Sequence, residues 1–132
     1  MKQRRRIIIP ENIKNSVEPH EIEVAKIIST HLNTDILFLE PIDFYKVKTA
    51  DFVANGLEWE IKSPIGNSKR ETVRQQFRKA SKQAKNIVLD GRRTKLEDDF
   101  ILKQIERGLQ NHRSIKKLLF ITKDEKVLEI KK

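Results

Sequence analysis

The dipeptide Asn55-Gly56 constrains the fold of this chain more than any other feature of the sequence. It stands between residues 49–54 and 57–63, two runs in which apolar and polar side chains alternate. Alternation with a period of two is typical of a β-strand that is buried on one face. Asn-Gly between two such runs indicates a two-residue turn, because both central residues of the favoured turn type need a positive φ. The sequence therefore predicts a tight antiparallel β-hairpin.

A two-residue turn also fixes the register of the hairpin, and with it the side chains that share each face. One face is predicted to cover the core and carries only apolar residues, namely Phe52, Ala54, Leu57, Trp59 and Ile61. On the other face Asp51 is predicted to lie directly opposite Glu60, with the two Cβ atoms about 5 Å apart. Lys62 follows Glu60 on the same face, so its ammonium group can reach the same spot.

The pairing of Asp51 with Glu60 needs a chemical reason, because like charges directly opposite each other destabilise a hairpin. Two carboxylates at that distance either share a proton or hold a cation. A site made only of oxygen ligands favours Mg²⁺ or Mn²⁺ over zinc. Such a cation, with Lys62 as catalytic base or phosphate stabiliser, supplies what phosphodiester cleavage requires. The alternative is a solvated polar face on which Lys62 only neutralises its neighbours.

The rest of the chain predicts helices and further strands around this hairpin. Apolar residues recur at helical spacing in three segments, two of which open with the capping-box pattern of Ser or Thr followed by Glu. The predicted helices cover residues 19–32, 68–84 and 94–109. Short apolar runs predict the remaining strands over residues 35–39, 86–90, 117–122 and 127–130. This order indicates an α/β fold in which a mixed sheet is flanked by helices.

The length of 132 residues fits one compact domain. Residues 1–17 are predicted to form an N-terminal arm, and residues 18–132 the domain itself. The chain contains no cysteine, which excludes disulfides, thiol catalysis and thiolate zinc sites. The apolar run near the N-terminus is too short for a secretory signal, and no segment is predicted to insert stably into a membrane.

A formal net charge of +9 suits a polyanionic partner such as nucleic acid, or an acidic protein. Part of this charge lies in the second predicted helix at spacings of three or four, which align side chains along one side of a helix. We call these residues the basic ridge: Arg70, Arg74, Arg78, Lys82 and Lys85. Arg92 and Arg93 are predicted to extend this nucleic-acid-binding surface. The alternative for the ridge is an ordinary solvated helix face.

Two further groups could take part in catalysis. Glu21 stands in the first turn of the first predicted helix, at the edge of its apolar stripe, where its carboxylate could join the hairpin as a metal or water ligand. Its alternative is favourable placement near a helix N-terminus. The acid–base candidates for RNA cleavage without a metal are His20, His31 and His112, although each is better explained as a surface histidine.

The order of elements resembles the core of the PD-(D/E)XK nuclease superfamily. In this chain the order is a helix, a strand, a strand with Asp51, a strand with Glu60-Ile61-Lys62, a helix and a strand. Ala50 stands where proline is usual. The resemblance implies a nuclease with Asp51, Glu60 and Lys62 at its catalytic centre.

A second resemblance covers most of the chain. The segments KTADFVANGLEWEIKSPIGNSK, ASKQAKNIVLD and IKKLLFITKD are similar to the C-terminal tRNase domains of contact-dependent growth inhibition toxins. This resemblance implies a toxin that cleaves RNA, above all tRNA, in a neighbouring cell and is neutralised by a dedicated immunity protein. It adds Thr49 and Ser63 to the catalytic candidates. It also implies secretion as part of a larger effector that acts in the cytoplasm of the target cell.

Several alternatives stay open beside this interpretation. Some tRNase toxins have the barnase/EndoU/colicin/RelE-like α+β fold and act without a metal. In this chain, RNA cleavage without a metal would use Lys62 or His20 as acid–base and Arg92 or Arg93 on the phosphate. The same Asp, Glu and Lys residues could also serve a DNase. A nucleic-acid-binding adaptor without catalytic activity is the non-enzymatic alternative. Because the ridge is cationic, an immunity protein is expected to be acidic.

Overall fold

The computed structural model of the chain describes residues 5–40, 50–80 and 84–130. Within these ranges the chain forms a mixed sheet of seven strands, in which spatial order follows chain order. The strands are β1 (Ile7–Ile8), β2 (Ile36–Phe38), β3 (Phe52–Ala54), β4 (Leu57–Lys62), β5 (Asn86–Asp90), β6 (Lys117–Ile121) and β7 (Val127–Ile130). The helices of the same ranges are α1 (Pro19–Leu32), α2 (Thr72–Ala80) and α3 (Asp98–Asn111), with a 3₁₀ turn at Glu11–Ile13. The predicted mixed α/β fold is confirmed.

The hairpin formed by β3 and β4 has the predicted turn. Both central residues have a positive φ, 53° at Asn55 and 74° at Gly56, as the favoured two-residue turn requires. Phe52 pairs with Trp59, and the two pairs nearer the turn follow the same register. The dipeptide in the turn is therefore sufficient to explain which residues of the two strands share a face.

The middle of the sheet is parallel. Strand β4 runs parallel to β5, and β5 runs parallel to β6, with α2 and α3 as the crossover connections. Right-handed crossovers in the same direction place both helices on one face of the sheet. Because β4, β5 and β6 run in the same direction, their carboxyl ends lie side by side at the same end of the sheet.

Each face of the sheet has its own hydrophobic cluster. The first includes residues of α1 and the apolar face of the hairpin, and the second includes residues of α2 and α3. Ile87 and Leu89 of β5 belong to the second cluster. Glu60 pairs with Ile87, and Lys62 pairs with Leu89. Because paired residues project to the same side of a sheet, Glu60 and Lys62 lie on the face covered by α2 and α3.

The segment before residue 18, predicted to be an arm, contributes to this architecture. Strand β1 pairs in parallel with β2. Its Ile7 packs against the α1 cluster, as do Ile9, Ile13 and Val17. A strand of two residues shows no alternation in sequence, and here it depends on a partner far along the chain.

The third helix begins later than the capping-box pattern at residue 94 predicts. It starts at Asp98, with Glu97 as its N-cap residue. The hydroxyl of Thr94 donates to the carbonyl of Gly66 and accepts a hydrogen bond from the Leu96 amide. The side chain that would cap a helix therefore joins two loops instead. In residues 5–40, 50–80 and 84–130, no helix has the length and apolar character needed to cross a lipid bilayer.

Candidate functional site

The candidate site lies at the edge of the sheet where β4 ends and β3 begins. Asp51 immediately precedes β3, while Glu60 and Lys62 belong to the last part of β4. We call Asp51, Glu60 and Lys62 the hairpin site. Ligand sites in open α/β sheets are commonly found at the carboxyl ends of parallel strands, which is where this group is located.

Asp51 does not continue the ladder of the hairpin as predicted. Its amide donates to the carbonyl of Trp59 at 2.9 Å, although Trp59 is already paired with Phe52. Such an irregularity is bulge-like, because two consecutive residues are set against one. The Asp51 carboxylate then accepts the amide hydrogen of Ile61 at 2.7 Å through Oδ2. One carboxylate oxygen of Asp51 thus takes the place of a backbone carbonyl as acceptor. The prediction that Asp51 pairs directly with Glu60 in the ladder is wrong, because the ladder ends at Phe52 and Trp59. Asp51 and Glu60 instead interact through their side chains just beyond that last pair.

Glu60 is a buried carboxylate with little to stabilise its charge. Only 4% of the residue is exposed, and the Nζ atom of Lys62 lies 3.6 Å from Oε1. In the part of the chain that the structure describes, Oε2 is buried without a hydrogen-bond partner. Burial and the negative charge of Asp51 raise the pKa of Glu60 to about 8, although Lys62 opposes the rise. A protonated Glu60 would also be stabilised by donating to Asp51.

Glu21 lies close enough to Asp51 for the charges of the two carboxylates to interact. Its Oε1 accepts the amide hydrogen of Glu18 at 3.0 Å, as in a capping box. Burial raises the pKa of Glu21, and the negative charge of Asp51 adds to the rise. The neighbouring His20 has Nδ1 3.2 Å from the Glu18 carboxylate. Glu21 thus combines a capping role with a position beside Asp51.

A second buried carboxylate, which the sequence did not single out, ends β5. Asp90 has no exposed surface, and Arg92 binds it with two hydrogen bonds from the guanidinium group, at 2.8 and 3.0 Å. Arg92 also reaches Glu23 and Glu125, at 3.2 and 3.3 Å. We call these four residues the Asp90 network. The hydroxyl of Ser63 donates to Asp90 at 3.4 Å, which connects the end of β4 to the network.

The Asp90 network changes the interpretation of Arg92. Its side chain is only 14% exposed, and hydrogen bonding to Asp90 raises its pKa. A guanidinium group held by three carboxylates supports the fold and is not part of an open nucleic-acid-binding surface. Arg93 is exposed. A strand that ends in Asp followed by Gly91 and Arg92 was the available sequence signal for this pair.

The described members of the basic ridge on and before α2 are Arg70, Arg74 and Arg78, and all three are exposed. Glu71 lies 3.8 Å from Arg70 and 3.7 Å from Arg74. One carboxylate shared by two arginines leaves the ridge cationic. Two predicted candidates, Thr49 and Lys82, lie outside the described residues.

The hairpin site can be tested for its fit to a divalent cation. No group of three or more His, Asp or Glu side chains suited to a metal occurs in residues 5–40, 50–80 and 84–130. A cation would therefore depend on Asp51 and Glu60, with water completing its shell. Oε2 of Glu60 is a buried oxygen without a donor in the described ranges, and the charge of a cation would offset the repulsion between the two carboxylates when both are ionised. The donor chemistry fits Mg²⁺ or Mn²⁺.

A family match covers the hairpin site, α2 and α3. Residues 48–127 match the sequence model of a family described as the contact-dependent growth inhibition CdiA C-terminal domain. This segment is more than half of the chain. The chain belongs to this family. The predicted resemblance to contact-dependent growth inhibition toxin domains is confirmed. No individual curated protein matches this CdiA C-terminal domain.

A solved structure agrees with the family match. The chain is similar to a structure titled as the CdiA-CT/CdiI toxin and immunity complex from Burkholderia pseudomallei, with a TM-score of 0.67. The similarity covers 86% of this chain and 83% of the other, at 21% sequence identity. At that identity the comparison establishes a shared fold. The more specific PD-(D/E)XK assignment of the hairpin site stays a prediction.

Proposed function

We propose that this CdiA C-terminal domain is a nuclease toxin that cleaves RNA, above all tRNA, in a target bacterium. The observation that carries the proposal is Glu60, a carboxylate that is buried beside Asp51 and has one oxygen without a hydrogen-bond partner among the described residues. Buried polar groups are normally satisfied, and strongly raised pKa values concentrate at functional sites. A purely structural strand has no need of this arrangement.

The proposed reaction is hydrolysis of a phosphodiester. The oxygen of water forms a bond to phosphorus, the bond to the leaving oxygen breaks, and the proton of the water is passed on to solvent or to the leaving group. A Mg²⁺ or Mn²⁺ ion held by Asp51 and Glu60 would supply a Lewis acid. Glu60 must lose its proton to serve as a ligand, since its pKa is about 8.

Lys62 has the position of a charge stabiliser in this scheme. Its Nζ lies 3.6 Å from Glu60 on the same face of β4. From there the ammonium group can donate hydrogen bonds to the oxygens of the reacting phosphate, where negative charge develops. Two further residues lie next to the site. Ser63 follows Lys62 in the chain and donates a hydrogen bond to Asp90, and Glu21 interacts with the charge of Asp51. We assign both of them positioning roles.

The ridge supports a nucleic acid as the substrate. Arg70, Arg74 and Arg78 lie along the start and outer side of α2, the helix that covers Glu60 and Lys62. Cationic side chains at helical spacing bind phosphates and release counterions. DNA cleavage by the same residues is the outcome to be distinguished from RNA cleavage, because both substrates present phosphodiesters.

Two assays test this function. Purified domain is incubated with total bacterial tRNA and with plasmid DNA, each with Mg²⁺ and with EDTA. We expect tRNA cleavage that EDTA abolishes. Plasmid cleavage alone would show a DNase, cleavage of tRNA in EDTA would show a metal-free mechanism, and binding without cleavage of either would show an adaptor.

We further propose that an acidic immunity protein neutralises the domain in the cell that makes it, and that the domain acts after delivery into the cytoplasm of the target cell. The ridge offers arginines that pair with carboxylates in bidentate fashion, whereas the hairpin site offers mainly negative charge. Electrostatic steering then predicts an association rate that falls as salt rises. A rate that is independent of salt, or a basic immunity protein, would contradict this partner.

A further inference from the structure

The helices α2 and α3 enclose a groove with a volume of about 590 Å³. Its positively charged lining residues come from both helices and from the connection before α2, and they are Lys69, Arg70, Arg74, Arg78 and Arg107. The described lining residues include no carboxylate. We call this feature the interhelical groove. The sequence reveals only its α2 wall, because Arg107 lies on a different element.

The floor of the interhelical groove is firmly packed. A Cβ atom at Gly108 of α3 would come within 2.6 Å of the Phe77 ring, so glycine is what allows the two helices to approach so closely. The ring of Phe77 stacks on His112 with centroids 6.0 Å apart and an interplanar angle of 23°. Phe77 itself is 2% exposed and shapes the floor. This packing of Phe77 against Gly108 and His112 fixes the distance between the two walls of the groove.

We infer that the interhelical groove binds the sugar-phosphate backbone of the RNA substrate, outside the reacting phosphate, and that Arg107 is the residue by which α3 holds it. The inference rests on the nucleic-acid substrate proposed above. The groove lies on the same face of the sheet as Glu60 and Lys62. Lys69 and Arg70 stand between β4 and α2 and link the groove to the end of β4.

The chemistry of the walls fits a strand of nucleic acid. Arg74 and Arg78 are separated by about 6 Å along the axis of α2, a distance comparable with that between successive phosphates of an extended strand. Arg107 adds positive charge from the opposite wall. Gln104 and Asn111 line the groove as well, and their amide groups can bond to sugar hydroxyls. A narrow concave channel with charge on both sides fits a backbone that carries charge at every residue.

The test compares Arg107→Gln with Lys103→Gln, which removes the same charge from an exposed position of α3 outside the groove. Both changes are made in the Glu60→Gln background, and binding of total bacterial tRNA is measured against salt concentration. We expect Arg107→Gln to weaken binding and to lower the salt slope by roughly one unit. Lys103→Gln should leave both unchanged. In the active background, Arg107→Gln should raise KM and leave kcat nearly constant.

The outcomes separate this inference from the proposed function, because binding to the Glu60→Gln protein does not require cleavage. Equal salt slopes for the two variants in a domain that cleaves tRNA would overturn the groove and leave the nuclease. A domain that binds tRNA through Arg107 and cleaves nothing would keep the groove and refute the nuclease. An Arg107→Gln variant that binds tRNA normally but has a weaker affinity for the immunity protein would also overturn the inference.

Discussion

Two buried carboxylates stand at the carboxyl ends of adjacent strands, and their surroundings are opposite. Asp90 at the end of β5 is fully buried, and it accepts two hydrogen bonds from the Arg92 guanidinium and one from the Arg92 amide. Glu60 near the end of β4 has Lys62 at 3.6 Å and an oxygen without a partner among the described residues. Burying a charge costs free energy, and pairing and hydrogen bonding are what offset that cost. Asp90 therefore supports the fold, whereas Glu60 is held at the expense of stability.

The largest expected effect is on the stability of the Asp90 network. Asp90→Asn keeps the shape of the side chain but leaves the Arg92 guanidinium without its main counter-charge. Breaking a buried ion pair in this way costs about 3–5 kcal/mol, and urea denaturation measures the decrease in stability. Glu125→Gln is the matched control, because its side chain is exposed and a surface pair contributes less than about 1 kcal/mol. Equal decreases for the two variants would show that Asp90 is not the structural carboxylate.

The second prediction concerns the pH dependence contributed by Glu60 without divalent cations. Its pKa is about 8 in the folded protein against 4.5 as the reference value, so between these values the folded state binds a proton that the unfolded state has released. The free energy of unfolding must therefore fall as pH rises through this window, by at most about 1.4 kcal/mol per unit. Urea denaturation in EDTA at several pH values, with Glu60→Gln as reference, measures the slope. Parallel curves for the two proteins would contradict the raised pKa.

The third prediction concerns the ridge and has the smallest expected effect. Replacing Arg74 and Arg78 by glutamine should weaken tRNA binding and lower the salt slope by roughly one unit for each phosphate that the protein no longer neutralises. Stability should change little, since both side chains are exposed. Fluorescence titration at several salt concentrations gives the slope. If affinity and slope stay as they are in the unchanged protein, the ridge is a solvated helix face.

Local signals in the sequence were enough to predict the hairpin and most of the secondary structure. The turn at Asn55-Gly56 determines its own φ angles, and the strands Asn86–Asp90 and Val127–Ile130 have the predicted bounds. Ser68, predicted to open the second helix, does accept the amide hydrogen of Glu71 at 3.1 Å, although α2 begins at Thr72.

What could not be predicted depends on partners distant in sequence. Asp90, two residues away, is the main partner of Arg92, but the other two partners of its guanidinium group, Glu23 and Glu125, come from α1 and from the turn before β7. The bulge-like end of the ladder moves Asp51 from a simple pair with Glu60 to a hydrogen bond with the Ile61 amide. The contacts of Arg92 with Glu23 and Glu125 and the bulge-like end of the ladder leave no pattern in the neighbouring residues, because both are products of tertiary packing.

Cleavage of tRNA by the Glu60→Gln variant tests the central claim most directly. The substitution keeps the shape of the side chain and replaces a carboxyl group that must take up a proton on folding at neutral pH, since the pKa of Glu60 is about 8 in the folded protein, so the free energy of unfolding should stay the same or rise. Activity in Mg²⁺ should nevertheless fall by about two or more orders of magnitude, by analogy with the removal of a catalytic acid–base group. A well-folded Glu60→Gln domain that cleaves tRNA at nearly the normal rate would contradict the account.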